Sequence, residues 1–248
     1  MIIKSYLTNN PCYQSGRTID VKGLMLHSVG CPQPNAEVFV NNWNQDVGAC
    51  VHAFIDAING NVYQTLPWKH RAWHCGDSAN NTHIGVEMCE PDCISYTGGS
   101  NFICSDIERA KTMAMTAYNS AVKLFAELCD KFDLNPLTDI ISHSEGYSMG
   151  IASGHSDPEH LWNGLGLNLN MDTFREAVKA NMSVEFKPYK VVITNSYLNV
   201  RSGAGLEYPV VMQVHRNEVY TIIDKFGDWG KLKSGAGWIF LKGYTEKL

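Results

Sequence analysis

Gly23-Leu24-Met25-Leu26-His27 is a short apolar run that turns polar at its end, as a strand buried on both faces does where its last side chain emerges at the sheet edge. Working outward, Pro34-Asn35 opens a helix that places Val38, Phe39, Asn42 and Trp43 at helical spacing. Val51 to Leu66 reads as two strands joined at Asn59-Gly60, a dipeptide suited to a tight hairpin, and His83-Ile84-Gly85-Val86-Glu87-Met88 reads as another strand. The longest helix comes next. Ser105 or Asp106 caps it, Ala110, Ala114, Ala117, Ala121, Leu124, Leu128 and Phe132 form one apolar stripe, and Asn135-Pro136 stops it. Asp139-Ile140-Ile141-Ser142-His143 is a further strand, and a last helix spans about Asp172 to Asn181. Strands interleaved with helices predict an α/β fold, a mixed sheet flanked by helices.

From about Pro188 the texture changes. Lys190–Thr194, Tyr208–Val214, Val219–Asp224 and Trp238–Leu241 are short β-rich runs separated by Ser-Gly-Ala-Gly and Phe-Gly-Asp turns, the pattern of a small all-β barrel of ~60 residues. Two domains are expected, 1–182 and 188–248, with the boundary inside Ser183–Lys190. The chain of 248 residues carries a net charge of −5, yet after residue 186 nine Lys/Arg stand against five Asp/Glu, so the tail is basic and the remainder acidic. A basic module suits an anionic surface, but no dense Lys/Arg run with interleaved aromatics points to nucleic acid. With 44% apolar and 18% charged residues the chain is not a disordered one. No apolar run reaches the ~18 residues of a membrane span and the N-terminus has no h-region, so membrane insertion and a secretory signal are not expected. All eight cysteines lie between Cys12 and Cys129 with no CxxC pair, and reduced, mostly buried thiols are expected.

The nine histidines invite a metal hypothesis. His27 and His143 each end a predicted strand, and Gly154-His155-Ser156-Asp157-Pro158-Glu159-His160 packs two imidazoles and two carboxylates into one loop. A zinc hydrolase needs three N, O or S ligands and an open position, which His27, His143 and one group of that loop would supply. Taken singly, a histidine such as His27 or His143 is more often a hydrogen-bonded structural residue than a ligand.

Six stretches in order sharpen this reading: Leu24–Ser28, Val51–Asp56, Asn59–Gln64, Ala72-Trp73-His74-Cys75-Gly76, Ile84–Glu87, and Ile141–His143 leading to His155–Pro158. Together they resemble the zinc N-acetylmuramoyl-L-alanine amidases related to peptidoglycan recognition proteins, and clostridial phage endolysins in particular. The resemblance covers roughly residues 20–180. It implies the amidase fold, one zinc ion, and His27, His143 and Asp157 as ligands, with aspartate where many relatives have cysteine. It implies Glu87 as the base, and His155, where the best-known relatives carry lysine, as an oxyanion donor; Val51 stands where some relatives have tyrosine. Trp73 and His74 would face the substrate, although His74 reads equally as a brace for a zinc ligand. His52 reads as a packed, hydrogen-bonded strand residue, Cys31 as a buried or loop thiol, and His160 as a loop-to-helix packing residue.

In the tail, Leu198-Asn199-Val200-Arg201-Ser202-Gly203, Gly227-Asp228-Trp229-Gly230-Lys231 and Gly237-Trp238-Ile239 resemble bacterial SH3-type wall-binding domains. That resemblance implies that Tyr208, Trp229 and Tyr244 contact the wall, while Trp238 is the tryptophan expected in the barrel core. The implied activity is hydrolysis of the amide between N-acetylmuramic acid and L-alanine in bacterial peptidoglycan, by an endolysin held in the host cytoplasm until release, or by an autolysin. A non-catalytic peptidoglycan-binding protein and a zinc endopeptidase acting within the stem peptide are the alternatives.

Overall fold

Parallel strands with a buried register organise the first part of the chain. A computed structural model describes residues 1–182, 188–206, 208–226 and 228–248. The chain folds as two units, Met1–Met182 and Ser183–Leu248. The expected boundary at 183–190 falls largely outside the described residues.

The first unit runs β1 (Ile2–Lys4), α1 (Pro11–Gln14), β2 (Gly23–Ser28), α2 (Ala36–Trp43), β3 (Ala53–Ile55), β4 (Val62–Gln64) and β5 (His83–Met88). It continues with β6 (Ile94–Gly98), β7 (Asn101–Cys104), α3 (Ile107–Phe132), β8 (Ile140–Ser142), α4 (His143–Ser148), α5 (Glu159–Gly164) and α6 (Met171–Asn181). Six strands form one mixed sheet in the order β1-β4-β3-β5-β2-β8. Only β3 and β4 pair antiparallel; β1–β4, β3–β5, β5–β2 and β2–β8 are parallel. Every residue of β2 is buried, as a central parallel strand requires. The 26-residue α3 starts at Asp106, whose side chain accepts the Arg109 N–H, and it lays its alanine and leucine stripe on the sheet. It ends at Asp133, in the left-handed conformation with φ 55°, before the predicted Asn135-Pro136 stop.

Three details differ from the sequence-based expectation. The β3–β4 connection is not a two-residue turn at Asn59-Gly60: Asp56 accepts the N–H groups of Ile58 and Asn59 and spreads the turn over more residues. Residues 94–104 form an unexpected β6–β7 hairpin, although Gly98-Gly99 is a turn signal. Cys12 and Cys50 form a disulfide across 38 residues, tying α1 to the residue bridged to Trp73, which corrects the expectation of reduced thiols throughout. Cys31, Cys75, Cys89, Cys93, Cys104 and Cys129 are free. No local spacing marks the bonded pair; only the folded path of the chain brings the two together.

The second unit is a seven-stranded antiparallel sheet comprising β9 (Tyr189–Ile193), β10 (Tyr197–Arg201), β11 (Val210–His215), β12 (Val219–Phe226), β13 (Trp229–Leu232), β14 (Trp238–Phe240) and β15 (Thr245–Lys247). Its core is Val191, Ile193, Leu198, Val200, Val214, Ile222, Leu232 and Ile239. Because side chains alternate along β14, burial of Ile239 turns Trp238 and Phe240 to the opposite face. Trp238 is therefore half-buried, contrary to the expected core role, and Trp229 is the more buried of the two tryptophans. Gly227, of the Gly227-Asp228-Trp229-Gly230-Lys231 motif, lies outside the described residues.

Candidate active site

The sheet register assembles the site. In the parallel β2–β5 pair His27 stands opposite Glu87, and in the β2–β8 pair Leu26 stands opposite Ser142, so His143 follows one residue later as the first residue of α4. Three neighbouring strands thus end together at the carboxyl edge of an α/β sheet, where such folds place their ligands. A capping box fixes the turn at His143: Ser142 Oγ accepts the Glu145 N–H and Glu145 accepts the Ser142 N–H, while Arg175 of α6 holds Glu145 by an ion pair. Asp157 enters from the loop before α5.

His27, His143 and Asp157 are 1%, 4% and 6% exposed, and each offers one ligand atom within 4.8 Å of the others. His27 Nδ1 lies 3.0 Å from His143 Nδ1 and 3.2 Å from Asp157 Oδ2. Burial by itself raises the Asp157 carboxyl, whereas protons on His143 and His27 would bring it well below the ordinary carboxylate range by hydrogen bonding and charge.

The surrounding bonds set the tautomers. His74 Nε2 lies 3.2 Å from the His83 carbonyl, so this nitrogen carries the proton and His74 Nδ1 accepts. The 2.9 Å contact from His27 Nε2 to His74 Nδ1 is then a donation by His27, which leaves the His27 Nδ1 lone pair facing the cluster. His143 Nε2 lies 3.3 Å from Ser153 Oγ, which accepts that ring's N–H when Nδ1 serves as ligand. Two imidazole lone pairs and a carboxylate so converged repel one another unless a cation sits among them, and two neutral nitrogens with one hard oxygen suit zinc. The donor set fits the metal that the resemblance implies.

Glu87 lies beside this cluster. Burial, then the negative charges of Asp157 and Glu90, push its carboxyl well above the ordinary range, and its buried Oε2 has no hydrogen-bond partner among the described residues. A cleft of about 470 Å³ joins Glu87, His74, His143 and Asp157. His155 lines it too: its exposed ring stacks on His143 at 4.4 Å, with Nδ1 3.7 Å from Asp157 Oδ1. The opposite wall is the β6–β7 hairpin. Ser100 Oγ meets Ser156 Oγ, and Tyr96 donates to the fully buried Glu90 at 2.7 Å while standing 2.8 Å from His160 Nε2. His160 is therefore a cleft residue rather than simple packing. Spacing alone could not find this wall, because its members come from three separate segments.

Not every expected residue gathers here. Trp73 is exposed and does not line the cleft. It forms part of a separate pocket of about 260 Å³ with Arg17, Cys12 and Arg71, whose guanidinium lies 4.9 Å over its ring. His52 does what the sequence suggests: Nδ1 accepts the Gly85 N–H at 3.0 Å and Nε2 donates to His70 O at 2.8 Å, and burial brings its pKa down to about 4. Gly85 carries a role that its place in a strand pattern does not reveal. A Cβ there would stand 2.4 Å from His74 Cγ, so only glycine lets β5 pass under that ring. In the second unit Trp229 and Tyr244 share a pocket, whereas the Tyr208 ring covers Gly203 outside it.

No described helix is long and apolar enough to cross a membrane. Residues 17–160 match the family model for N-acetylmuramoyl-L-alanine amidase, and residues 196–246 match that for the bacterial SH3 domain. N-acetylmuramoyl-L-alanine amidase BlyA of Bacillus subtilis (strain 168) is 27% identical over 150 residues, covering 56% of this chain and 38% of that protein. N-acetylmuramoyl-L-alanine amidase CwlA of a Bacillus species is 29% identical over 106 residues, covering 41% and 35% respectively. The chain thus spans less than half the length of these curated relatives. Among solved structures, the catalytic domain of XlyA superposes with a TM-score of 0.52 at 20% identity, over 72% of this chain and 99% of that one. Staphylococcus aureus hydrolase AmiA gives 0.53 at 18% identity, over 73% and 83%. At these identities the likeness is one of fold. With more than half of its residues inside the amidase match, the chain belongs to the N-acetylmuramoyl-L-alanine amidase family.

Proposed function

We propose that residues 1–182 hydrolyse the amide bond between N-acetylmuramic acid and L-alanine of bacterial peptidoglycan, and that residues 188–248 hold the chain to the wall. The observation that carries this reading is the convergence of the His27, His143 and Asp157 ligand atoms beside Glu87, whose Oε2 is unpartnered among the described residues. A zinc ion held by those three residues would supply Lewis acidity at the scissile carbonyl. Glu87 takes the proton of the attacking water and returns it to the departing L-alanine nitrogen, a shuttle favoured by its raised proton affinity. His155, exposed at the cleft mouth, donates to the oxygen that becomes negative. His74, carrying its proton toward His83 O, keeps the His27 Nδ1 lone pair turned to the cluster. The hairpin residues Tyr96 and Ser100 narrow the cleft and limit water.

Digestion of purified walls, with and without chelator, followed by identification of new amino termini tests the reading. Release of L-alanine amino termini with intact muramic acid, abolished by chelator and by Asp157→Ala, is expected. New termini within the stem peptide would make the protein an endopeptidase. Wall binding without any new terminus would make it a binding protein.

A further inference from the structure

We infer that the second unit carries its own recognition site for a short peptide ending in a free carboxylate, formed by Arg201 and Arg216 over a floor of Trp229, Phe240 and Tyr244. The inference rests on the reading that this unit holds the chain to the wall, and it names the part of the wall that is held. The site is a pocket of about 780 Å³ on the sheet face opposite Ile239, within the size range of small-ligand sites. Trp229 packs edge-on against its cross-strand partner Phe240 at 5.4 Å, and Phe240 against Tyr244 at 5.9 Å, giving three contiguous rings. Tyr197 and Tyr244 remain 57% and 38% exposed at the rim. This is an apolar surface left uncovered in a small domain whose core lies on the other face.

The charge is one-sided. No aspartate or glutamate lines the pocket among the described residues. The Arg201 Nη1 donates to Leu206 O at 3.0 Å and Tyr208 O at 2.7 Å, which holds the fork in place and leaves Nε and Nη2 without a partner among the described residues. The Arg216 guanidinium has no hydrogen bond or ion pair there. The nearby carboxylate of Glu218 is engaged by the His215 N–H and the Tyr220 hydroxyl. Both cationic forks line the pocket, Arg201 at the end of β10 and Arg216 beside Ser196, and the Arg216 fork, without a partner among the described residues, suits a carboxylate. Asn199 adds amide recognition: its Oδ1 accepts from Gln213 at 2.9 Å, which leaves its N–H₂ group for a peptide carbonyl. Rings for methyl groups, an amide donor for the backbone and cations for the terminus together describe a short peptide. A polyol phosphate chain has no apolar face for those rings.

The test titrates the ¹⁵N-labelled full chain with L-Ala-γ-D-isoglutaminyl-L-Lys-D-Ala, whose one carboxylate is terminal, with the same peptide amidated at that terminus, and with glycerol phosphate oligomers. The free acid is expected to shift the Trp229 indole N–H resonance. Amidation or Arg216→Gln is expected to weaken binding about tenfold, and the two together no further, because both remove the same charged contact. The inference is overturned if shifts are confined to residues 1–182, if acid and amide bind equally, or if glycerol phosphate binds this pocket and the peptide does not. Hydrolysis of a soluble muramoyl peptide, followed in the same samples, is expected to be unchanged by Arg216→Gln. If the native chain fails to hydrolyse it while the Trp229 shift persists, the amidase reading falls and this site stands.

Discussion

Replacing Gly85 with alanine tests how the site is braced. The added methyl carbon would stand 2.4 Å from His74 Cγ and 2.5 Å from His74 Nδ1, against the ~3.5–4.0 Å that carbon contacts need, so the ring must retreat by roughly 1 Å. That retreat breaks the 2.9 Å bond to His27 Nε2 or the 3.2 Å bond to His83 O, and with it the orientation of the His27 lone pair. Loss of such a partner typically lowers metal affinity ~10–100-fold, and overpacking costs about 1–3 kcal/mol, a fall of several degrees in Tm for a unit of this size. Zinc affinity is measured by competition with a chromophoric chelator and Tm by circular dichroism. A second variant separates the two effects: Gly85→Ala with His74→Ala removes the clash, so Tm recovers while zinc affinity does not. Zinc affinity within twofold of native in Gly85→Ala, or restored in the double variant, refutes the bracing role of His74.

Four further outcomes are expected. Glu87→Gln lowers kcat by ~10²–10⁴ with bound zinc unchanged, measured on a soluble muramoyl peptide against metal content. In metal-free protein the same substitution raises Tm at pH 7 but not at pH 4, since a carboxyl whose folded pKa is raised loses stability as pH climbs from its ordinary value through the raised one. His52 has the opposite sign. Its folded pKa of about 4 against 6.5 means that stability is lost as pH falls through this window, about 3 kcal/mol by pH 4, and thermal melts of native and His52→Gln protein across pH 4–7 display the difference. Opening the Cys12–Cys50 loop, which spans 38 residues, with reductant or by Cys12→Ser costs about 2–4 kcal/mol, read as a lower denaturant midpoint that reductant does not shift further in the variant.

The central sheet of the first unit was legible because β2, β3, β4 and β8 are fully buried runs and α3 carries an uninterrupted stripe, so burial period and caps agree. His27 and His143 were legible because each closes a predicted strand, and Glu87 and Asp157 only through resemblance, since nothing about an aspartate in a loop reveals where the loop goes. Long-range closure was not legible. The Cys12–Cys50 bond, the Tyr96–Glu90–His160 wall and the space Gly85 leaves for His74 all join segments whose approach is decided by packing. In the tail, alternation gave strands but not their facing. Trp238 left its expected core place because the residue of β14 that fills the core is Ile239.

The rung shared by His27 and Glu87 has a consequence for how this protein tolerates change. Sliding β5 by one residue would bring Val86 or Met88 level with the histidine and send the glutamate among aliphatic neighbours. Chemical alignment is therefore guarded by greasy residues that never approach a reactant: Leu24, Leu26, Ile84 and Val86 lock the strands in step. Outwardly mild exchanges in that interior are expected to register first as lost turnover and only later as lost folding.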